Sequence, residues 1–251
     1  MLEKKDEKKS SSKESKVKKQ NSSSLTDQAT EELRNRILDL TLLPSQRLDE
    51  KMLLKKFPFG RTPIREALNR LISEGLVKSK NTRGTYVASM SIDHTLQLLD
   101  AYVISEKVVS FVANLKDPSL LDDLMSFQDE YKTVSDSANL LLVTEINSKF
   151  HNRIAEATSN QFIIANSADL HNLARRLSYF VYKTESQSEE KLRKHLQRIN
   201  KDHKMIINHI KKGDRKGLIQ SCTDHALLFK RRLGKVLQKD GVMELDFSDL
   251  S

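Results

Sequence analysis

The chain has a single cysteine, no tryptophan, four prolines and seven glycines in 251 residues. One cysteine, Cys222, cannot form an intramolecular disulfide, which suits a reducing compartment and a fold held by packing alone. So few glycines and prolines leave little material for the tight turns of an all-β protein. No stretch approaches the ~18–20 consecutive apolar residues of a membrane-spanning helix. Met1 to Lys19 also lacks the apolar run of a secretory signal. These absences point to a soluble, cytoplasmic protein with no membrane partner.

What is present favours helix. Leu, Ile, Lys, Glu and Ala fill long stretches, with 37% hydrophobic and 31% charged residues overall. At the usual ~100–150 residues per domain, the length suits two compact units. The formal net charge is +9, which favours a polyanionic partner. Much of that charge lies in the first quarter, whereas Lys239 to Ser251 carries several acids and few bases.

The chain divides into four parts. Residues 1–24 are nearly all Lys, Glu, Ser, Gln and Asn and are expected to be a disordered tail, because they cannot bury enough apolar surface to repay their ordering entropy. Residues 25–90 read as a small helix-and-hairpin unit, 91–236 as an all-helical one, and 237–251 as an acidic tail. Ala29, Leu33, Ile37 and Leu40 recur at helical spacing and predict a first helix over 26–40. A short second helix follows over 49–57. A third starts at Thr62-Pro63, with the threonine hydroxyl as cap, and ends before Gly75. Two β-prone runs, 76–79 and 85–88, flank a polar turn containing Gly84 and read as a hairpin. Three helices and a hairpin make a winged helix-turn-helix. Beyond Ser91 only helical periods occur, predicting helices over 92–114, 118–133, 138–157, 161–184, 189–212 and 214–237. The fold class is therefore mainly α: a winged helix-turn-helix followed by an antiparallel helical bundle.

In a helix-turn-helix, the N-terminal residues of the second helix of the pair meet base edges and phosphates in the major groove. Here that end carries Arg61, Thr62 and Arg65, with Arg70 further on, and the wing tip carries Arg83 beside Gly84. Arginine suits this work because its planar fork pairs bidentately with guanine or phosphate. The runs Gly60-Arg61-Thr62-Pro63-Ile64-Arg65-Glu66-Ala67-Leu68, Leu71-Ile72-Ser73-Glu74-Gly75-Leu76-Val77 and Arg83-Gly84-Thr85-Tyr86-Val87 closely resemble the reader head of the GntR superfamily. The resemblance implies DNA contacts from Arg61, Thr62 and Arg65, supported by Lys51 from the second helix and Gly84 from the wing. Phe57-Pro58-Phe59-Gly60 departs from the smaller turn usual in that family and bears on the angle between the two helices.

Seven histidines lie downstream, and three stand out by position. His203 and His225 each lie 11 residues from Asp214, at the break between two long helices. If those helices run antiparallel, both imidazoles sit at one height, about 16 Å from the turn at ~1.5 Å per residue. His151, with Asn147 at i−4, brings further ligands from another helix. Three imidazoles and an oxygen donor suit Zn²⁺ or Ni²⁺. Cys222, three residues before His225, either flanks that site or is a small buried residue.

Phe150-His151-Asn152-Arg153-Ile154, Ala157, Ser159, Asn160, Asp202-His203 and His225 resemble the FCD effector domain of the FadR-type branch. That resemblance implies a helical bundle, a metal on an Asp-His-His-His set at Asn147, His151, His203 and His225, and a homodimer on a pseudo-palindromic operator in double-stranded DNA. Two positions depart from it. Asn147 stands where metal-binding members carry Asp, and Tyr102 stands where an arginine for an anionic effector is expected. Arg175 and Arg176 remain as anion partners for a small-molecule effector such as a carboxylate. The expected function is a sequence-specific transcription regulator, a repressor by analogy with the family, and not an enzyme. Two alternatives stay open. One is a DNA-binding dimer whose ligand site has decayed. The other is a metalloenzyme with a DNA-binding head, using Glu145 or Glu156 as base.

Overall fold

The structure is a computed structural model that describes residues 23–80, 84–137 and 139–239. Most of the Lys/Ser-rich tail expected over 1–24, most of the acidic tail over 237–251, and Arg83 lie outside the described residues.

The first helix, α1 (Leu25–Leu38), starts at a capping box in which Ser24 and Asp27 satisfy each other's free backbone N–H groups. Its buried face is Ala29, Leu33 and Ile37, in agreement with the sequence period. Helix α2 (Glu50–Lys56) is capped by the Asp49 carboxylate, which accepts from the N–H groups of Lys51 and Met52. Helix α3 (Arg61–Ser73) buries Ile64, Ala67, Leu68 and Leu71 against α1. It ends at Gly75, whose φ of +73° is one that side-chain-bearing residues rarely adopt.

The start of α3 differs from the sequence expectation. Its N-cap is the extended Gly60, so Thr62 and Pro63 stand at the second and third helical positions and Thr62 caps nothing. Proline is tolerated there because the first turn of a helix has no intrahelical partner for its N–H groups. The first intrahelical bond runs from Ile64 N to Gly60 O at 3.2 Å.

Strands β1 (Val77–Lys80) and β2 (Gly84–Val87) pair antiparallel, with Val77 opposite Val87 and Lys80 opposite Gly84. An isolated bridge from Arg47 to Tyr86 ties the wing to the segment before α2. Leu33, Ile37, Leu53, Ile64, Leu71, Leu76 and Val87 form the core beneath these elements.

Six helices follow among the described residues: α4 (Ile92–Val112), α5 (Leu120–Asp136), α6 (Leu140–Glu156), α7 (Gln161–Glu185), α8 (Glu189–Lys211) and α9 (Arg215–Lys239). Each lies within a few residues of its predicted range. Helix α4 packs on α7 and α9, α5 on α6 and α8, and α8 on α9. The α8–α9 turn is closed by Gly213 at φ +65°. Two large apolar clusters lie in the bundle among the described residues, one around Phe150, Ile154, Ile206 and Leu218 and the other around Tyr131, Ile146, Leu177 and Leu196, with a smaller one at Tyr102, Ala174 and Ala226. Between them runs a layer of buried polar groups from α4, α6, α7, α8 and α9. Leu173 of α7 also packs against the core of the first three helices, so α7 touches both parts of the chain. Among the described residues no helix is long and apolar enough to cross a membrane.

Candidate nucleic-acid interface and metal centre

At the start of α3, Arg61 and Arg65 are exposed, with 74% and 64% of their side-chain surface open. One carboxylate organises both. Glu50 Oε1 lies 3.6 Å from Arg61 Nε, and Oε2 accepts from Arg65 Nε at 3.0 Å. Glu50 approaches both arginines at Nε, and most of each side-chain surface stays exposed to solvent. Thr62 and Lys51 are also exposed. Arg70 instead donates to Asp27 of α1 at 2.6 Å and fastens the two helices together. Gly84 opens β2 at φ +95°, and a Cβ there would meet the Arg47 guanidinium at 3.6 Å. Arg47 is thus a further cation beside the wing that helical periodicity does not point to, because it lies in the loop before α2.

In the bundle the three singled-out histidines converge. Ring centroids are 5.4 Å apart for His151 and His203, 5.0 Å for His151 and His225, and 5.2 Å for His203 and His225. Each offers a ligand atom within 4.8 Å of the others, and all three are buried. Each also has its Nδ1 beside an oxygen from a different helix. His151 Nδ1 is 2.8 Å from Glu106 Oε2 and His203 Nδ1 is 3.1 Å from Gln128 Oε1; His225 Nδ1 is 3.5 Å from Asp202 Oδ2. A neutral imidazole that donates from Nδ1 keeps a lone pair at Nε2. Nε2 of His151 and of His203 are buried with no partner, as is Asn147 Oδ1. Burial holds the pKa of His203 well below the ordinary histidine value and lowers that of His225, which keeps both neutral near pH 7.

Beside this cluster lies a cavity of about 20 Å³ lined by Tyr102, Asn147, Ser178, Tyr182, His195 and His225, among others. That volume is roughly one water molecule on this measure. Tyr102 therefore does face the site, edge-on to His171 at 4.9 Å between centroids. Arg175 and Arg176 do not. Arg176 donates to the backbone carbonyls of Ala88 at 2.8 Å and Ser89 at 3.4 Å, in the linker before α4. Arg175 lies 3.6 Å from Glu145. The expectation that this pair would line the effector cavity is corrected by the rotation of α7, which presents His171 to the bundle centre and both arginines toward the head. Glu145 is occupied by Lys149 and Arg175, and Glu156 is exposed, so neither stands as a base beside the histidines. Cys222 is a buried member of the apolar cluster.

Two family models match the chain: bacterial regulatory proteins of the gntR family over residues 25–87, and the FCD domain over residues 102–227. The chain belongs to the gntR family, in its FCD-domain branch. Among curated proteins, this gntR-family chain is 24% identical over 199 residues to the HTH-type transcriptional regulator YdhC of Bacillus subtilis, covering 77% of this chain and 84% of that protein. It is 22% identical over 213 residues to the HTH-type transcriptional repressor RspR of Escherichia coli, covering 83% and 88%. Among solved structures, E. coli McbR/YncC superposes with a TM-score of 0.66 at 17% identity, covering 85% of this chain and 98% of that one. A GntR regulator from Rhodococcus sp. RHA1 superposes with a TM-score of 0.64 at 21% identity, covering 84% and 99%. These likenesses establish the shared fold.

The FCD branch implies a metal, and the residues present fit one. Two buried imidazole nitrogens and one buried amide oxygen lack partners, and three Nδ1 atoms lie beside oxygen atoms. A bound metal would take Nε2 of His151, His203 and His225 and the Asn147 oxygen, and would supply a Lewis-acidic centre beside the cavity. Glu106 and His171, which also form a buried trio with His151, escaped the sequence reading. Glu106 lies on a helix whose apolar residues occur on every side, so periodicity does not mark it as inward-facing.

Proposed function

We propose that this chain is a ligand-responsive transcription regulator that acts in the cytoplasm as a repressor and binds a pseudo-palindromic operator as a homodimer. Residues 25–90 are the reading head and 91–236 the effector and dimerisation domain. The observation that carries the reading is the pair Arg61 and Arg65, exposed at the N-terminus of α3 and aligned by one carboxylate. In this reading Arg61, Thr62 and Arg65 contact DNA, with support from Lys51, Gly84 and Arg83. Direct base contacts of this type contribute roughly 1–3 kcal/mol of discrimination each.

His151, His203, His225 and Asn147 hold Zn²⁺ or Ni²⁺ in this reading. A small-molecule effector then enters beside Tyr102 only as the cavity widens from its present volume of about one water, and because no arginine lines it among the described residues, anchoring falls to the metal and to Ser178, Tyr182 and His195. The homodimer is supported by an exposed apolar stripe on α4, Ile104, Val108, Phe111 and Val112, at helical spacing on one face.

The decisive experiment compares Arg65→Ala with wild type by fluorescence anisotropy on operator fragments selected from genomic DNA. The expected result is loss of operator preference with the fold and dimer intact, as read by circular dichroism and sedimentation. Unchanged preference would remove α3 as the reading helix. Metal content of protein purified without a metal-affinity tag, with His203→Ala beside it, tests the metal centre. Near-stoichiometric metal lost in the variant is the expected outcome.

A further inference from the structure

Glu106 is a buried carboxylate at the middle of α4, held between two imidazoles. Its Oε2 is 2.8 Å from His151 Nδ1 and its Oε1 is 2.9 Å from His171 Nε2. No lysine or arginine pairs with it among the described residues. We propose that Glu106 is the positioning residue of the metal centre: it fixes His151 as the tautomer with a free Nε2 and supplies the one uncompensated negative charge that a divalent cation needs there. The proposal rests on the metal reading above.

The tautomer argument is one of hydrogen-bond accounting. An ionised carboxylate only accepts, so both imidazoles facing it must donate. A neutral imidazole has a single N–H, so a donating His151 Nδ1 leaves Nε2 as a lone pair. That same Nε2 is buried and without a partner, on the side facing His203 and His225. His171 grips the second oxygen, and Tyr102 packs edge-on against His171, so Glu106 cannot swing away from His151. Each Glu106 oxygen has one imidazole nitrogen at hydrogen-bond distance, the arrangement in which an ionised carboxylate accepts from two N–H donors.

The charge argument points the same way. Three imidazoles and the Asn147 amide carry no charge, so the ligand set does nothing to neutralise a dication. Asp202 reaches His225 only at 3.5 Å, and its other oxygen is paired with Arg198 at 2.9 Å. Glu106 has no such cation. A carboxylate buried without a counter-charge is costly, and a metal ion one imidazole away removes that cost. The carboxylate–histidine–metal relay thereby takes over the neutralising part that a carboxylate at position 147 would play.

The test is a Zn²⁺ titration of metal-free full-length protein against a chromophoric chelator, for wild type, Glu106→Gln, Asn147→Asp and the double variant. Glu106→Gln keeps the shape but removes the charge, and Zn²⁺ binding should weaken by roughly 10–100-fold, the usual effect of losing such an outer partner. Asn147→Asp should raise Zn²⁺ affinity by a larger factor in the Glu106→Gln background than in wild type, restoring much of that loss, whereas a purely structural role of Glu106 would give equal factors. Unchanged Zn²⁺ affinity in Glu106→Gln, or equal factors from Asn147→Asp in the two backgrounds, overturns the proposal while leaving the metal centre in place. Absence of Zn²⁺ binding by wild type overturns the metal reading and this one with it. If Glu106→Gln fails to fold, ¹⁵N spectra of the histidines in metal-free wild type decide: Nδ1–H on His151 is expected, and Nε2–H overturns the proposal.

Discussion

At the scale of single residues, the bundle does something most helical proteins avoid: it buries many imidazoles close together. His195, His203 and His225 each have a pKa lowered chiefly by burial. A lowered value in the folded state means that the unfolded chain binds the proton first. The stability these groups contribute is therefore fully present above the unfolded histidine value of about 6.5 and falls as pH drops through it, by up to about 1.4 kcal/mol per pH unit for each imidazole. Metal-free protein should thus melt at a clearly lower temperature at pH 5.5 than at pH 7.5. Equal melting temperatures would mean that these histidines are not held neutral. Arg61 and Arg65 illustrate the opposite design, in which two exposed cations lie beside one acid, Glu50.

At the scale of elements, the short helix α2 is the weak point of the head. It has seven residues, too few to be stable by itself, and is held by its cap and by Leu53 in the core. Replacing Asp49 by Ala removes the acceptor for two N–H groups and should cost about 1 kcal/mol. Because Glu50 is the first residue of that helix, the same change should also loosen Arg61 and Arg65 and weaken operator binding. Thermal melts and anisotropy on one preparation check both effects, and operator affinity unchanged despite a lower melting point would separate the cap from the arginines. The entry to α3 shows how local signals mislead by a residue or two. Thr-Pro is a strong start signal, yet Gly60, extended and unhindered, takes the cap position and frees Thr62 for the surface. The rest of the helix-and-hairpin order was legible because apolar periodicity and turn residues agree along the chain, as at Gly75 and Gly213.

At the scale of the whole molecule, α7 carries both a residue of the buried polar cluster and residues at the head, as α6 does through His151 and Leu141. His171 meets Glu106, and five residues later Arg176 binds the carbonyls of Ala88 and Ser89 beside the wing. Burial lowers the Arg176 pKa to about 10, so it stays charged at neutral pH with backbone carbonyls as its hydrogen-bond acceptors. A shift of α7 along its axis on metal or effector binding would move the linker directly. Arg176→Ala should destabilise the protein by roughly 1–3 kcal/mol, because it strips the Ala88 carbonyl, and in part that of Ser89, of a donor. It should also shrink the change in operator affinity that Zn²⁺ produces. The ratio of operator Kd with and without Zn²⁺ is the readout, and a ratio equal to that of wild type would exclude the linker contact as the coupling element.

The amino-acid sequence by itself determined the helices, the hairpin, the arginines at the N-terminal end of α3, and the level at which His203 and His225 meet. All of these follow from spacing along one chain: a period of 3.6, a turn signal, or equal distances from one break. The partners across the bundle were decided only by tertiary structure. Helix α4 is apolar on most of its surface, so its sequence does not say which side is buried, and packing between α7 and α9 turned Glu106 inward. The same packing sent Arg175 and Arg176 of α7 toward the head and His171 toward Glu106 and His151, since one rotation of a rigid helix fixes where all of its side chains point.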